Sequence, residues 1–192
     1  MEQILSRTCA VQPRALAEPG RRRRLLLVHR NFHLLLVASS ASRQRLLVGG
    51  HQIHHSPRRI EVLTSFYKHP LEIAADSVLT GFLVYCVFGG SALAGAWTSF
   101  FGAAGEYFYH SNIRTPKWVG LVIQRPEHHS IHHELGVHKY NFGDLTIWDR
   151  LFGTFKETEG FTQQCGFPGR GEERLPEMLA FKDVYEQSTS EA

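Results

Sequence analysis

The chain has 192 residues, a length that predicts a single domain, and its 21 Lys and Arg nearly balance its 18 Asp and Glu. The formal net charge of +3 therefore gives no indication of a nucleic-acid partner. The 3 cysteines form no Cys-x-x-Cys pair, so a thiolate metal site is not predicted. Histidine is the unusual residue, with 12 copies, and most of them fall in repeated patterns.

Residues 1–24 are polar and irregular and end in consecutive arginines, with no apolar segment of the kind that forms a signal peptide. Two interpretations stay open for them: a disordered basic arm, or a segment attracted to anionic lipid head groups. Residues 25–37 are apolar but too short to cross a bilayer. His29 and His33 within them are spaced i, i+4, so they share a helix face and form a candidate ligand pair.

The pattern His-x-x-His-His occurs twice, at His51, His54 and His55 and again at His129, His132 and His133. Residues with this spacing lie on one face of a helix, so each copy presents three imidazoles to one point. Neutral imidazole is the commonest metal ligand, and zinc is usually satisfied by three or four protein ligands. The six nitrogens therefore favour a two-metal centre built from histidine alone. A chance run of histidines is the alternative, and two copies of one spacing disfavour it.

Residues 71–109 predict a membrane hairpin, because no charged residue occurs between Ser77 and Gly105. Gly89 and Gly90 lie near the midpoint and leave two arms, each just long enough to cross a hydrocarbon core of about 30 Å. A single crossing would place the two histidine triplets on opposite sides of the membrane, so shared metals require two crossings. Basic residues flank both ends and predict that both face the cytoplasm. The alternative is a buried hairpin in a soluble α-helical protein.

Histidines mark both ends of this hairpin. Pro70 after His69 predicts a helix start, since proline suits the first helical turn. His110 follows the second arm, and Glu106 lies one helical turn before it on the same face. The Glu106 carboxylate is therefore a candidate partner that orients His110 as a ligand, or else a solvated charge at the membrane interface.

The rest of the chain predicts short helices joined by loops. Residues 145–152 predict a helix ended by Gly153. Its packing face is expected to comprise Trp148, Leu151 and Phe152. Residues 157–192 are polar and interrupted by glycine and proline, with a small amphipathic helix predicted over residues 175–185.

These segments resemble the fatty acid hydroxylase/sterol desaturase superfamily over about residues 48–170. The resemblance is carried by His51-Gln-Ile-His54-His55, His69-Pro-Leu-Glu72, His110-Ser-Asn, Pro126-Glu-His-His129-Ser-Ile-His132-His133, and Asn141-Phe-Gly through Trp148-Asp-Arg-Leu-Phe-Gly-Thr154. It implies an all-α integral membrane helical bundle with a histidine-ligated di-metal cap on the cytoplasmic side. It also implies two iron ions, O₂ as co-substrate, and hydroxylation or desaturation of a lipid.

Carried over residue by residue, the resemblance implies metal ligands at His29, His33, His51, His54, His55, His110, His129, His132 and His133. Further candidates for places at or near the metals are His69, His128 and His138. Residues expected to orient the ligands are Glu106, Asn141 and Asp149. Electrons would come from an external donor such as a cytochrome b5-like protein or a ferredoxin, since the chain has no haem or flavin motif.

The N-terminal quarter departs from the superfamily, whose members usually have a further apolar hairpin before the first histidine box. This chain has an arginine-rich segment there. The sequence therefore predicts a divergent or truncated region, residues 1–47, a histidine-box catalytic domain, residues 48–156, and a polar tail, residues 157–192. Two other functions stay open: a catalytically impaired homologue with an incomplete first histidine box, and a non-enzymatic membrane metal-binding protein.

Overall fold

The structure is a computed structural model that describes residues 45–185. The predicted ligand pair His29 and His33 lies outside the described residues, as does the basic arm over residues 1–24. Within the described range the chain is helical and forms no β-strand. The predicted all-α class is therefore confirmed for this part of the chain.

Six α-helices follow one another between residues 45 and 185: α1 Arg45–His55, α2 Pro70–Gly81, α3 Ala92–Tyr109, α4 Pro126–His132, α5 Thr146–Phe152 and α6 Leu175–Leu179. A π-helical turn, Phe82–Val87, extends α2. Short 3-10 turns lie at Val62–Phe66, Lys117–Leu121 and Gly171–Glu173. The helix α1 packs against α2, and α4 packs against α3.

The helices α2 and α3 form the predicted hairpin, and its start and its turn follow from the sequence. The His69 imidazole caps α2 by accepting a hydrogen bond of 3.1 Å from the Leu71 N–H. At the turn, Gly89 has a φ of 59°, and a Cβ on Gly90 would lie 2.9 Å from the Val84 carbonyl oxygen. Residues other than glycine would be strained at both positions, so this pair fixes where the chain reverses.

One helix in the described range, Pro70–Val87, is long and apolar enough to cross a membrane, and only 6% of its 18-residue window is buried. The second arm, α3, also has 18 residues but does not meet the same criterion of hydropathy. Large apolar side chains are exposed on both arms: Leu71, Ile73, Val78, Phe82, Leu93, Trp97, Phe100 and Phe101. An apolar surface of this kind marks contact with a membrane or with another protein.

Residues 157–185 pack against α1, although their composition is polar. A buried apolar cluster joins the two: Ile53, Phe167, Met178 and Val184. Beside it, the Gln52 side chain donates to the Lys182 carbonyl (2.9 Å) and accepts from the Val184 N–H (3.0 Å). This segment therefore anchors the end of α1 that carries the first histidine triplet.

The helix α5 ends at Gly153 as predicted, in the left-handed conformation with a φ of 71°. Its predicted packing face is wrong for Leu151 and Phe152, which are 68% and 49% exposed, whereas Trp148 is half-buried. The buried side chains are Thr146 and Asp149, and both bind backbone groups of neighbouring segments. Polar anchoring to the backbone therefore orients this helix.

Candidate metal centre

Three helices bring seven histidines to one region. The helix α1 carries the first triplet, α4 and the residue that follows it carry the second, and His110 follows α3. The histidines form two groups, in each of which the possible ligand atoms lie within 4.8 Å of one another: His54, His110, His129 and His133, and His51, His55 and His132. Each triplet is thus divided between the groups, and His110 joins the group of four.

The four-histidine group converges through its Nε2 atoms. His110 Nε2 lies 3.1 Å from His54 Nε2 and 3.1 Å from His129 Nε2. His133 Nε2 lies 3.1 Å from His129 Nε2. All four side chains are buried, so the protein shields this polar group from solvent.

The Nδ1 atoms of two of these rings bind backbone carbonyls. His54 Nδ1 donates to the Thr64 carbonyl (3.1 Å), and His110 Nδ1 donates to the Glu106 carbonyl (2.7 Å). Because a carbonyl can only accept, Nδ1 carries the proton of both neutral rings. Their Nε2 atoms are then unprotonated, which is the form that binds a metal.

The three-histidine group is oriented in the same way. His51 Nδ1 lies 2.6 Å from a carboxylate oxygen of Glu72, and His132 Nδ1 donates to the Tyr140 carbonyl (2.9 Å). Both contacts place the proton on Nδ1 and leave Nε2 as the ligand atom. The Glu72 carboxylate also fixes the orientation of the His51 ring.

The two groups are neighbours. The His55 ring stacks on the His133 ring with 4.5 Å between their centroids, and the His51 and His54 centroids are 5.2 Å apart. His138 borders the group of three, where its Nδ1 lies 3.3 Å from His55 Nδ1. These buried groups are able to hold metal ions side by side.

Burial keeps these imidazoles neutral. It lowers the pKa of His110 to about 4 and the pKa of His132 to about 3. Burial first, and neighbouring histidines second, hold the pKa of four more well below the usual 6.5: His54, His55, His129 and His133. At neutral pH each of these rings therefore has a lone pair to give to a metal.

The donor set fits a transition metal. The unprotonated Nε2 atoms of His54 and His110 face each other inside the protein, with no proton available to lie between them. Two lone pairs at this distance repel each other unless a cation binds both. Imidazole is a ligand that suits iron, zinc, copper and nickel, so the donors alone do not select among these metals.

A loop with an uncommon backbone conformation places the Tyr140 carbonyl at His132. His138, Tyr140 and Asn141 have φ values of 40°, 73° and 48°, which residues with a side chain rarely adopt. Asn141 Nδ2 ties this loop to α4 by donating to the His128 carbonyl (2.9 Å). Asn141 was predicted to orient the ligands, and in the structure its side chain holds the loop that carries the Tyr140 carbonyl.

Asp149 on α5 holds the next part of the same loop. Its two carboxylate oxygens accept from the Phe142 and Gly143 N–H groups at 2.9 Å each. One of them also accepts from the Thr154 hydroxyl at 2.6 Å. Asp149 thus acts on the ligand group through the backbone and does not bind a ligand histidine itself.

The Glu106 carboxylate is paired with Lys68 and does not take the predicted place at His110. Both of its oxygens accept from Lys68 Nζ, at 3.0 and 2.9 Å. The backbone carbonyl of Glu106 accepts the His110 Nδ1 proton instead. The sequence spacing located the right residue, but it could not distinguish a side-chain acceptor from a backbone one.

Two further histidine candidates lie outside both groups. His69 Nδ1 caps α2, and its Nε2 lies 3.2 Å from the Leu179 carbonyl oxygen. His128 Nε2 lies 2.7 Å from a Glu157 carboxylate oxygen. The structure therefore places both rings in contacts that hold helices and loops together.

Glu72 and Gln124 are site residues that the histidine patterns do not predict. The buried Gln124 amide lies 3.1 Å from His129 Nδ1 and donates to the Asn141 carbonyl. The available signal for Glu72 is its place in the first turn of α2, directly after His69-Pro. Gln124 has no such signal, because it lies between a 3-10 turn and α4.

Histidine groups that could hold metal ions, set beside an exposed apolar hairpin in a helical protein, fit the class of histidine-ligated metalloproteins. Comparison with protein families is more specific: the family model described as fatty acid hydroxylase matches residues 25–154. This chain belongs to the fatty acid hydroxylase family, whose members are generally oxidoreductases and typically iron-dependent. No solved structure matches the chain.

Proposed function

We propose that this protein is an O₂-dependent lipid hydroxylase or desaturase whose histidine groups hold two iron ions. The observation that carries the proposal is the convergence of seven imidazoles from three helices on two adjacent points. Membership of the fatty acid hydroxylase family supports a hydroxylase with a histidine-ligated metal. Iron is favoured over zinc because a redox metal accounts for a site of this size beside an apolar surface.

Two iron ions, when bound, would supply the oxidising power for the C–H bond, and the chain's own residues supply orientation and shielding. The Thr64 and Tyr140 carbonyls and the Glu72 carboxylate fix which ring nitrogen of their histidines is a ligand. Burial excludes water, and this limits side reactions at an oxidising centre.

The range matched by the family model begins before His29 and His33, which supports their assignment to the first histidine box. In the proposed enzyme this pair adds to the seven ligands of the two groups. A chain in which the pair cannot reach the metals would be an impaired homologue, and its metal content would be lower.

The exposed apolar side chains of α2 and α3 are proposed to lie in a membrane, with the histidine centre on its cytoplasmic side. Support comes from the membrane-length helix Pro70–Val87 and from the basic residues that flank the hairpin. The substrate is then a lipid that reaches the centre from the bilayer. Electrons come from a separate protein of the cytochrome b5 or ferredoxin kind.

The test is purification of the full chain in detergent, a count of metal per chain, and measurement of O₂-dependent lipid oxidation in a host that lacks such enzymes. We expect about two iron ions per chain in the native protein. In His132→Ala we expect a lower iron content and a loss of oxidised product. One tightly held zinc ion and no consumption of O₂ would contradict the proposal. Iron without any oxidised lipid, even when an electron donor is added, would favour the non-enzymatic alternative.

A further inference from the structure

A cleft of about 620 Å³ lies between the two arms of the hairpin. Its α2 side, with the π-turn, includes Asp76, Thr80 and Tyr85, and its α3 side includes Gly95, Ser99 and Glu106. Gly95 packs against the Tyr85 hydroxyl, and a Cβ there would require the Tyr85 side chain to move. The volume is within the range of clefts that bind small molecules.

One end of this cleft borders the segments that orient the four-histidine group. Glu106 lines the cleft, and its carbonyl accepts from the His110 Nδ1–H. Ser65 also lines the cleft, and the preceding carbonyl, of Thr64, accepts from the His54 Nδ1–H. A molecule in the cleft therefore reaches the residues that orient two of the predicted metal ligands.

The charged groups of the cleft lie at this histidine end. The arms are antiparallel, so Asp76 in the middle of α2 lies on the side of the end of α3 that carries Glu106. Toward the hairpin turn the lining is uncharged, with the small or apolar residues Val84, Ala92 and Ala96 beside the Tyr85 hydroxyl. The cleft thus has a charged end at the histidines and an uncharged end at the turn, an arrangement that suits an amphiphile.

The two carboxylates at the charged end differ in their partners. Glu106 accepts from Lys68 with both oxygens. The Asp76 carboxylate accepts no hydrogen bond and forms no ion pair with any residue in the part of the chain that the structure describes. An ionisable side chain within an apolar, membrane-length helix is costly and marks a functional site by default.

We propose that Asp76 binds the head group of the lipid substrate, and that this head group is a hydrogen-bond donor: a hydroxyl or a primary ammonium. The inference rests on the proposed function and specifies its substrate class. A carboxylate accepts hydrogen bonds and attracts cations, so both head groups satisfy Asp76. A lipid with a free carboxylate or phosphate head is disfavoured, because its charge would face the Asp76 carboxylate.

The test is photolabelling of the full-length, metal-loaded protein in lipid nanodiscs. Four hexadecyl probes with a mid-chain diazirine are compared; they end in an alcohol, a primary amine, a carboxylate or a methyl ether. We expect the alcohol or the amine to label peptides of α2 and α3 with an affinity about tenfold or more above the other two. Equal labelling by all four probes would overturn the inference.

Variants of Asp76 identify the contact. Asp76→Leu removes the acceptor and should lower the labelling by both preferred probes to the level of the methyl ether. Asp76→Asn keeps a carbonyl acceptor but no charge, so it should spare the alcohol and weaken the amine, which distinguishes the two head groups. Ser77→Ala is the matched control, because the Ser77 hydroxyl already donates to the Ile73 carbonyl (2.7 Å).

Metal content is measured on each variant, because a folding defect would lower it. If Asp76→Leu fails to fold, Asp76→Asn still tests the contact, since asparagine has nearly the same shape as aspartate. Labelling that does not change in either Asp76 variant overturns the inference. Labelling that depends on Asp76 in a protein that consumes no O₂ overturns the proposed oxidation and leaves the lipid site. Lipid oxidation that does not depend on Asp76 supports the proposed oxidation and overturns the head-group site.

Discussion

His54 Nε2 and His110 Nε2 lie 3.1 Å apart, although each ring already donates its only proton to a carbonyl on its other side. One ring belongs to α1 and the other follows α3, so this contact is also where two distant parts of the chain meet. A bound cation replaces the repulsion between these two nitrogens with attraction to a shared charge. Metal binding and the packing of these helices are therefore coupled.

The first prediction follows from this contact. Replacing His110 with Ala removes one of the four ligands of its group, while the group of three keeps all of its histidines. We expect one of about two ions per chain to bind more weakly and to be lost first to a chelator, because its site loses the nitrogen that lies between His54 and His129 while the other site is unchanged. Metal analysis of the purified protein measures this change.

The control for that experiment is His69→Asn. Asparagine is a good helix N-cap, so it preserves the cap of α2 while removing the imidazole. We expect full metal content, because His69 lies outside both groups. A loss of metal equal to that of His110→Ala would mean that His69 is a ligand and that the grouping is incomplete.

The second prediction concerns the carboxylate behind His51. Glu72→Gln removes the charge of the acceptor that lies 2.6 Å from His51 Nδ1. We expect the affinity of the three-histidine group for metal to fall roughly ten- to a hundredfold, measured by competition with a chelator. Glu159→Gln is the control, because that carboxylate pairs with Lys117 on the surface. Equal affinities in the two variants would show that Glu72 does not orient the ligand.

The sequence predicted the residues of this centre better than it predicted their partners. The spacing of His51, His54 and His55 fixes a shared helix face, and proline and glycine fix where α2 begins and where the hairpin turns. The Thr64 and Tyr140 carbonyls that set the tautomers could not be predicted, because every residue has a carbonyl. Only the folded chain determines which carbonyl lies beside which ring.

Two other features depended on contacts between distant segments. The segment over residues 157–185 is polar on average, yet a few apolar side chains, including Phe167 and Met178, are enough to dock it on α1. For α5, the apolar residues Leu151 and Phe152 suggested a packing face, but the helix is held through Asp149. A hydrophobic pattern in a helix this short carries little information about which side is buried.

The third prediction is that Asp149 acts on the metal centre from a distance. In Asp149→Asn the new amide N–H group opposes N–H donors of Phe142 and Gly143. We expect a destabilisation of about 1–3 kcal/mol and weaker metal binding, because the loop that presents the Tyr140 carbonyl loosens. Unfolding of the metal-free chain gives the first quantity, and chelator competition gives the second.

A smaller change at the same place provides a graded comparison. Thr154→Val removes one of the three donors that Asp149 accepts and leaves the two backbone donors. The expected loss of stability is about 1 kcal/mol, below that of Asp149→Asn. If both variants bind metal as tightly as the native chain, the loop does not control the His132 ligand.

The fourth prediction is the pH dependence of stability in the metal-free chain. Burial lowers the pKa of His110 to about 4 and of His132 to about 3, whereas an unfolded chain has the usual 6.5. As the pH falls below 6.5, the unfolded state takes up protons that the folded state does not, so the folded state loses stability. We expect stability to be constant above about pH 7 and to decrease continuously down to about pH 4. The midpoint of thermal unfolding in detergent, measured after chelation, follows this change.

The metal-loaded protein is the matched comparison. Protons compete with the metal for the same Nε2 atoms, so the loaded chain should show the same direction with a steeper slope between pH 7 and about 4. At neutral pH it should unfold at a higher temperature than the metal-free chain, because only the folded state assembles both ligand groups. A metal-free chain that becomes more stable on acidification in this range would mean that the buried histidines are charged in the folded state.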